Sequence, residues 1–193
     1  TFRPPQNIFI SSSVLKTLDE TDLRSGIGEI IKVHIIDSPT KFNEVAENYD
    51  QIFTNENMMI HLIRQSLLIK KDLIEKDEFD CGVRNVMNYG HSFGHAIEAA
   101  SGFAIPHGIG VTMGMDMANF VSMKLGRLKQ KDFDRMHPTL KRNWCGFEKE
   151  SIPMNKFLTA INHDKKNEGN MLILILPDSE AIPQKIRIPY DEH

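Results

Sequence analysis

The spacing of apolar residues along the chain predicts a largely helical protein. From Asp19 to position 36, apolar residues recur every three or four positions, and the acidic residues at the start suit the first turn of a helix. Pro39 interrupts this pattern, and Asn55 opens a longer helical stretch that runs to position 77. The same reasoning predicts helices at 40–49, 83–101, 108–125, 130–142 and 154–163.

Short apolar runs near the two ends of the chain predict strands. NIFI at 7–10 follows two prolines, and the last part of the chain contains MLILIL at 171–176 and KIRIP at 185–189. No internal repeat or low-complexity segment is visible. We therefore expect a mostly α, multi-helix domain spanning residues 1–193, with short terminal β-strands.

Composition narrows the classes of partner. The chain of 193 residues has a formal net charge of −3, so no basic excess points to nucleic acid or to an anionic membrane. The run at 171–177 is too short to cross a bilayer, and the start at Thr1 lacks the pattern of a signal peptide. Cys81 and Cys145 are too few for a disulfide framework. A reducing, cytoplasmic setting is therefore expected. Because the chain begins at Thr1 rather than at a methionine, we also expect it to be a processed protein or a fragment of a longer one.

The predicted helix 83–101 carries an unusual polar stripe. On a helical wheel, Arg84, Asn88, His91 and His95 fall within about 60° of one another. A solvated face is the ordinary meaning of such a stripe, but solvated faces favour Lys and Glu, and two glycines within the helix suggest crowding. The stripe therefore favours binding of a phosphate or carboxylate group.

Histidine spacing adds a candidate metal site. His91 and His95 stand at the i, i+4 spacing of metal-binding helices, and His107 could supply a third nitrogen. The candidate carboxylate is Glu29, which shares a helix face with Lys32; an ordinary exposed ion pair is the alternative. Histidine and carboxylate ligands with an open position suit zinc.

These motifs resemble the C-terminal domain of 3-dehydroquinate synthase and its relatives, the sugar-phosphate cyclases. The similarity covers nearly the whole chain, and its four matching stretches are LRSGIGEIIKVHII, KKDLIEKDEFDCGVRNVMNYGHSFGHAIE, the following PHG, and NHDKKNEG. The resemblance implies a dehydroquinate-synthase-like fold. It also implies a lyase of the shikimate pathway that uses NAD and a divalent metal, usually zinc, to cyclise a heptulosonate 7-phosphate with loss of phosphate.

The resemblance also implies residue roles. Glu29, His91 and His107 match the metal ligands, so that His95 becomes a substrate ligand despite its spacing from His91. The residues that match substrate-binding positions are Lys32, Lys70, Arg84, Asn88, His95, Lys165 and Lys166. Among these, His95, Lys32 and Lys70 are expected to take part in catalysis, and one lysine of the DKK motif reaches the substrate. A homodimer is expected for the complete enzyme.

Two features depart from the family. No glycine-rich phosphate loop occurs in the chain, so the NAD-binding domain is expected to lie on an absent N-terminal part, and this chain alone is expected to be inactive. The synthases commonly read HGEAV after the third histidine, whereas this chain reads HGIGV, with Ile109 in place of the glutamate. Cyclases acting on sedoheptulose 7-phosphate or glucose 6-phosphate therefore remain alternatives.

Two other functions compete with a cyclase. Metal-dependent alcohol and glycerol dehydrogenases share an HxxxH…PHG pattern, but they generally use an aspartate ligand and need no anion cradle. A helical scaffold that has lost catalysis is the other alternative, although every ligand position that can be matched is filled. His34 is expected to be a packed core residue, and the sequence offers no matched partner for His61, His137 or His163.

Overall fold

Helices form most of the molecule, as the sequence predicts. The structure, a computed structural model, describes residues 6–80, 82–164, 167 and 169–189. Its α-helices are α1 (Glu20–Asp37), α2 (Pro39–Glu47), α3 (Gln51–Thr54), α4 (Glu56–Lys76), α5 (His91–Ala100), α6 (His107–Lys124), α7 (Gln130–Trp144) and α8 (Met154–Asn162). Two 3-10 helices cover Ser12–Thr17 and Val83–Asn88, and the strands are β1 (Met171–Pro177) and β2 (Pro183–Pro189).

Helix α1 lies at the centre of the fold. Asp19 caps its start by accepting a hydrogen bond from the backbone N–H of Asp22 at 2.8 Å. Its second half is buried on all sides because α2, α4, α6 and α7 pack around it. His34 is completely buried there, and its Nδ1 donates to the Ile30 carbonyl at 2.8 Å, which confirms its place in the core.

Local capping explains where the neighbouring helices begin. Ser38 ends α1 and also caps α2, because its hydroxyl accepts from the Lys41 N–H at 3.3 Å and Pro39 follows at the first helical position. Asn55 likewise caps α4 with its side-chain oxygen.

Within the described residues, strand pairing occurs near the C-terminal end of the chain. β1 and β2 form an antiparallel hairpin in which Leu174 faces Ile186, and the buried part of β1 packs against α6. The predicted strand at 7–10 is wrong: this segment is irregular and exposed, since none of the residues that the structure describes forms a strand beside it to satisfy its backbone groups. Among the described helices, none has the length and apolar character needed to cross a membrane.

The predicted helix 83–101 is also wrong as a continuous element. The chain forms the 3-10 helix Val83–Asn88, turns at Gly90 with a φ of 76°, and only then enters α5. The Asp77 carboxylate fixes the first segment by accepting from the N–H groups of Gly82 at 2.8 Å and Arg84 at 3.0 Å. The predicted helix 40–49 is confirmed as α2, and the short α3 follows it as a separate element.

Glycines allow α1 and α5 to approach α6 closely. A methyl group at position 28 would lie 2.3 Å from the Gly108 carbonyl oxygen, and one at position 108 would lie 1.8 Å from the Ser25 carbonyl oxygen. On the other side of α6, a methyl group at position 114 would lie 2.1 Å from the Gly90 carbonyl oxygen. These three helices therefore touch backbone to backbone.

Two glycines of α1 provide a matched test of this packing. Gly28→Ala is expected to lower the free energy of unfolding by about 1–3 kcal/mol, because the new methyl group meets backbone that has no room to move. Gly26→Ala should be neutral or stabilising by up to about 1 kcal/mol, because no atom lies within 4 Å of its added methyl group and alanine favours a helix. Urea unfolding followed by circular dichroism measures both, and equal effects of the two substitutions would contradict the packing.

Candidate metal centre and substrate site

The candidate ligands are placed by the glycine contacts themselves. Glu29 follows Gly28 on α1, and His107 precedes Gly108 at the start of α6. His91 begins α5 directly after the turn at Gly90. Each ligand is therefore one residue from a backbone contact, which fixes its Cα relative to those of the others.

Three imidazoles and one carboxylate meet where these helices cross. One ring nitrogen from each of His91, His95 and His107 lies within 4.8 Å of the corresponding nitrogens of the other two. The Oε1 atom of Glu29 lies 3.9 Å from Nε2 of His91 and 3.8 Å from Nε2 of His107. The structure thus brings together all three predicted metal ligands, with His95 beside them.

Hydrogen bonding shows which atoms face the centre of this cluster. Nδ1 of His91 lies 3.1 Å from the Tyr89 carbonyl oxygen, which accepts only, so this nitrogen carries the proton. Nδ1 of His107 lies 2.9 Å from Oε1 of Glu98 and donates to it in the same way. In the neutral rings, both Nε2 atoms consequently present lone pairs toward Glu29.

The two oxygen atoms of the Glu29 carboxylate have different surroundings. Its Oε2 accepts from Nζ of Lys32 at 2.9 Å, whereas its Oε1 is buried without a hydrogen-bond partner among the described residues. Burial alone would raise the pKa of Glu29, but the Lys32 ammonium, and to a smaller extent the charge of Lys70, bring the pKa below its ordinary value. An ionised oxygen and two imidazole lone pairs thus converge with no proton between them, which is the arrangement that a divalent cation stabilises.

Burial keeps His91 neutral. Desolvation, followed by the nearby charge of Lys32, lowers the pKa of the His91 imidazole to about 4. The Nε2 lone pair of His91 is therefore available throughout the neutral pH range.

The other predicted substrate residues lie at different distances from this cluster. The exposed ring of His95 lies 5.2 Å from that of His91 and 5.7 Å from that of His107, measured between centroids. Lys32 is almost fully buried, with 3% of its surface exposed. Lys70 shares with Glu29 a cleft of about 240 Å³ whose remaining walls are mostly apolar.

Arg84 and Asn88 do not stand on the same helix as the histidines. Arg84 donates from its guanidinium to the Glu78 carbonyl at 2.8 Å, and Asn88 lines a separate polar pocket together with Ser92. The stripe inferred from the helical wheel is therefore replaced by two adjoining segments. Lys165 and Lys166 lie outside the described residues.

Three side-chain pairs were not predicted from the sequence. Glu98, the partner of His107, stands seven residues after His91, a spacing that returns to the same helix face and could have indicated it. His137 lies 2.9 Å from both carboxylate oxygens of Asp116, and His61 lies 2.6 Å from Glu44. These last two partners come from other helices, which local spacing does not reveal.

The low pKa of His91 predicts an acid-sensitive fold in the metal-free chain. The folded pKa is about 4, whereas the unfolded value is near 6.5, so the neutral ring supports folding fully above pH 6.5. This support is lost progressively as the pH falls from 6.5 toward 4. Urea unfolding at several pH values should show a smaller decrease over this range for His91→Gln than for the parent, and parallel decreases would contradict the assignment.

Comparison with known proteins identifies the family. The sequence model of the 3-dehydroquinate synthase C-terminal family matches residues 26–167. The 3-dehydroquinate synthase of Clostridium tetani is 35% identical over 193 residues, which are all of this chain and 52% of that protein. The enzyme of the same name from Dictyoglomus thermophilum is 36% identical over 180 residues, covering 92% of this chain and 50% of that protein. The chain spans about half the length of these curated relatives.

Solved structures show the same fold. ValA, a 2-epi-5-epi-valiolone synthase from Streptomyces hygroscopicus solved with NAD⁺ and Zn²⁺, matches with a TM-score of 0.74 and 18% identity over 91% of this chain and 50% of its own. A 2-deoxy-scyllo-inosose synthase with carbaglucose-6-phosphate, NAD⁺ and Co²⁺ gives the same score and identity over 93% of this chain and 52% of its own. The match to the family model confirms the resemblance seen in the motifs: the chain belongs to the 3-dehydroquinate synthase C-terminal family.

Proposed function

We propose that this chain is the metal- and substrate-binding domain of an NAD- and zinc-dependent 3-dehydroquinate synthase. The reaction is the cyclisation of 3-deoxy-D-arabino-heptulosonate 7-phosphate with elimination of phosphate, a carbon–oxygen lyase step of the shikimate pathway. The named relatives at 35% and 36% identity support the choice of reaction. The NAD-binding domain belongs, in this proposal, to an N-terminal part beyond the 193 residues.

The observation that carries the proposal is the convergence of three lone-pair donors. Oε1 of Glu29 and the Nε2 atoms of His91 and His107 face one another without an intervening proton. Two imidazoles and a carboxylate form the donor set that zinc prefers when one coordination position stays open. Zinc bound there would polarise substrate hydroxyl groups and lower the cost of developing negative charge.

The lysines supply the positive charge that an anionic substrate requires. Lys32 keeps Glu29 ionised through the 2.9 Å contact, and its buried position limits competition from water. Lys70 stands on the wall of the cleft shared with Glu29, where it can pair with a substrate carboxylate or phosphate. His95 is exposed at the edge of the histidine cluster, a position suited to hydrogen bonding and proton transfer with the bound substrate.

Arg84 and Asn88 extend the proposed substrate site. The polar pocket that Asn88 lines also contains Ser92 and Lys185, which offers neutral and cationic donors to an anionic group. Arg84 reaches the substrate in this proposal by exchanging its contact with the Glu78 carbonyl. Lys165 or Lys166 adds a further cation for a substrate that carries a carboxylate.

The complete enzyme is proposed to be a cytoplasmic homodimer that acts on a small phosphorylated sugar acid. This chain alone is expected to be inactive, because it spans about half the length of its relatives and contains no glycine-rich nucleotide loop. A related cyclase that acts on a neutral sugar phosphate is the second candidate. It is favoured by Ile109, a fully buried apolar residue where the synthases commonly carry a glutamate.

Metal analysis tests the site with two matched histidines. His107 and His137 each donate to a carboxylate at 2.9 Å, but only His107 faces Glu29. Elemental analysis of the untagged chain is expected to give about one zinc per chain, which His107→Ala should lose and His137→Ala should retain. An equal loss in both variants, or no zinc in the parent, would contradict the metal site.

Substrate choice is tested in a protein that joins this chain to its N-terminal part. With NAD and zinc, this longer protein should release phosphate from 3-deoxy-D-arabino-heptulosonate 7-phosphate, and Lys70→Met should reduce kcat/KM by roughly 100-fold, since a desolvated charge pair is lost. Phosphate release from sedoheptulose 7-phosphate or glucose 6-phosphate instead would assign the chain to the second candidate.

A further inference from the structure

The first position of α6 leaves His107 without support from its own helix. His107 is the first residue of α6, and its side chain is 48% exposed. Pro106 precedes it and makes no side-chain cap to the helix. A metal-binding imidazole in this position needs an outside contact to fix the direction of its ring and the site of its proton.

Glu98 of α5 provides that contact. Its Oε1 lies 2.9 Å from Nδ1 of His107, and its side chain is only 13% exposed. The backbone around it is held as well, because the Glu98 carbonyl accepts from the Phe103 N–H at 2.8 Å and from the Ser101 hydroxyl at 3.1 Å. The Glu98 carboxylate therefore extends to His107 from a backbone segment that hydrogen bonds hold in place.

Gly110 makes room for this carboxylate. A methyl group at position 110 would lie 3.2 Å from Cγ of Glu98 and 3.5 Å from its Oε1. The turn of α6 that carries His107 thus has a small residue at the point where the Glu98 side chain passes. The packing of α5 against α6 therefore leaves space for the Glu98–His107 contact.

We propose that Glu98 is a positioning residue of the metal centre, which holds the proton of His107 on Nδ1 and so directs the Nε2 lone pair toward Glu29. This inference rests on the proposed metal-dependent function. His91 obtains the equivalent support from the Tyr89 backbone carbonyl. The acceptor for Nδ1 of His107 is a side chain instead, so a substitution of Glu98 can remove it.

The proton position can be measured without metal. Long-range ¹H–¹⁵N NMR spectra of the metal-free chain should show His107 protonated on Nδ1. Glu98→Ala should move the proton to Nε2, because no acceptor then faces Nδ1. Glu98→Gln should keep it on Nδ1, since its amide oxygen still accepts a hydrogen bond. Protonation of Nε2 in the parent, or no change in Glu98→Ala, would overturn the proposal.

Zinc affinity provides the second measurement. Competition with a chelating dye should show roughly 10–100-fold weaker Zn²⁺ binding for Glu98→Ala, with most of the loss restored in Glu98→Gln. Asp116→Ala is the matched control, because it removes another mostly buried carboxylate from a histidine, His137, without touching the cluster. Unchanged affinity in Glu98→Ala, or an equal loss in Asp116→Ala, would overturn the positioning role.

The two measurements separate this inference from the proposed function. If the parent binds no Zn²⁺, the metal-dependent function fails, and the proposed role of Glu98 at a metal centre fails with it, even where the NMR spectra show the expected proton shift. If the parent binds Zn²⁺ and Glu98→Ala binds it equally well, the positioning role fails while the metal centre stands.

Discussion

Backbone contact between glycines is the constraint on which the site depends. Gly28 and Gly108 let α1 touch α6, and Gly90 and Gly114 let α5 touch α6 from the other side. Any side chain at these points would separate the helices by more than the few tenths of an ångström that a metal centre tolerates. The candidate ligands lie next to these contacts in the sequence, so close packing and the geometry of the candidate site are set by the same residues.

The electrostatic arrangement follows from this packing. The packing of α1 places Glu29 in a partly buried position, where its negative charge must be balanced by a nearby positive charge. Lys32, three residues later on the same helix, provides that positive charge. One oxygen of Glu29 is thereby satisfied and the other faces two imidazole lone pairs. In the proposed metal site a cation would complete this group, since a buried oxygen without a hydrogen-bond partner among the described residues is unfavourable beside two further acceptors.

The sequence predicts most of the helices and the residues that meet at the candidate site, but it does not predict the joints between helices. Periodic apolar spacing locates α1 and α4 because both bury a long face, and the histidine motif identifies the residues that meet. The break at Gly90 is missed because a left-handed glycine and a helical glycine look alike until α6 packs against the turn. The contact of Glu98 is not predicted either, because its partner His107 lies beyond a loop, on another helix.

In the proposed site, Glu29, His91 and His107 hold one metal ion, and His95 contacts the substrate. Anomalous diffraction at the zinc absorption edge from crystals of the zinc-loaded chain tests it most directly. A metal ion held in this way gives one strong peak within about 2.0–2.2 Å of Oε1 of Glu29 and the two Nε2 atoms, and farther from His95. A peak bound by the three histidines without Glu29, or no peak between these helices, would contradict it.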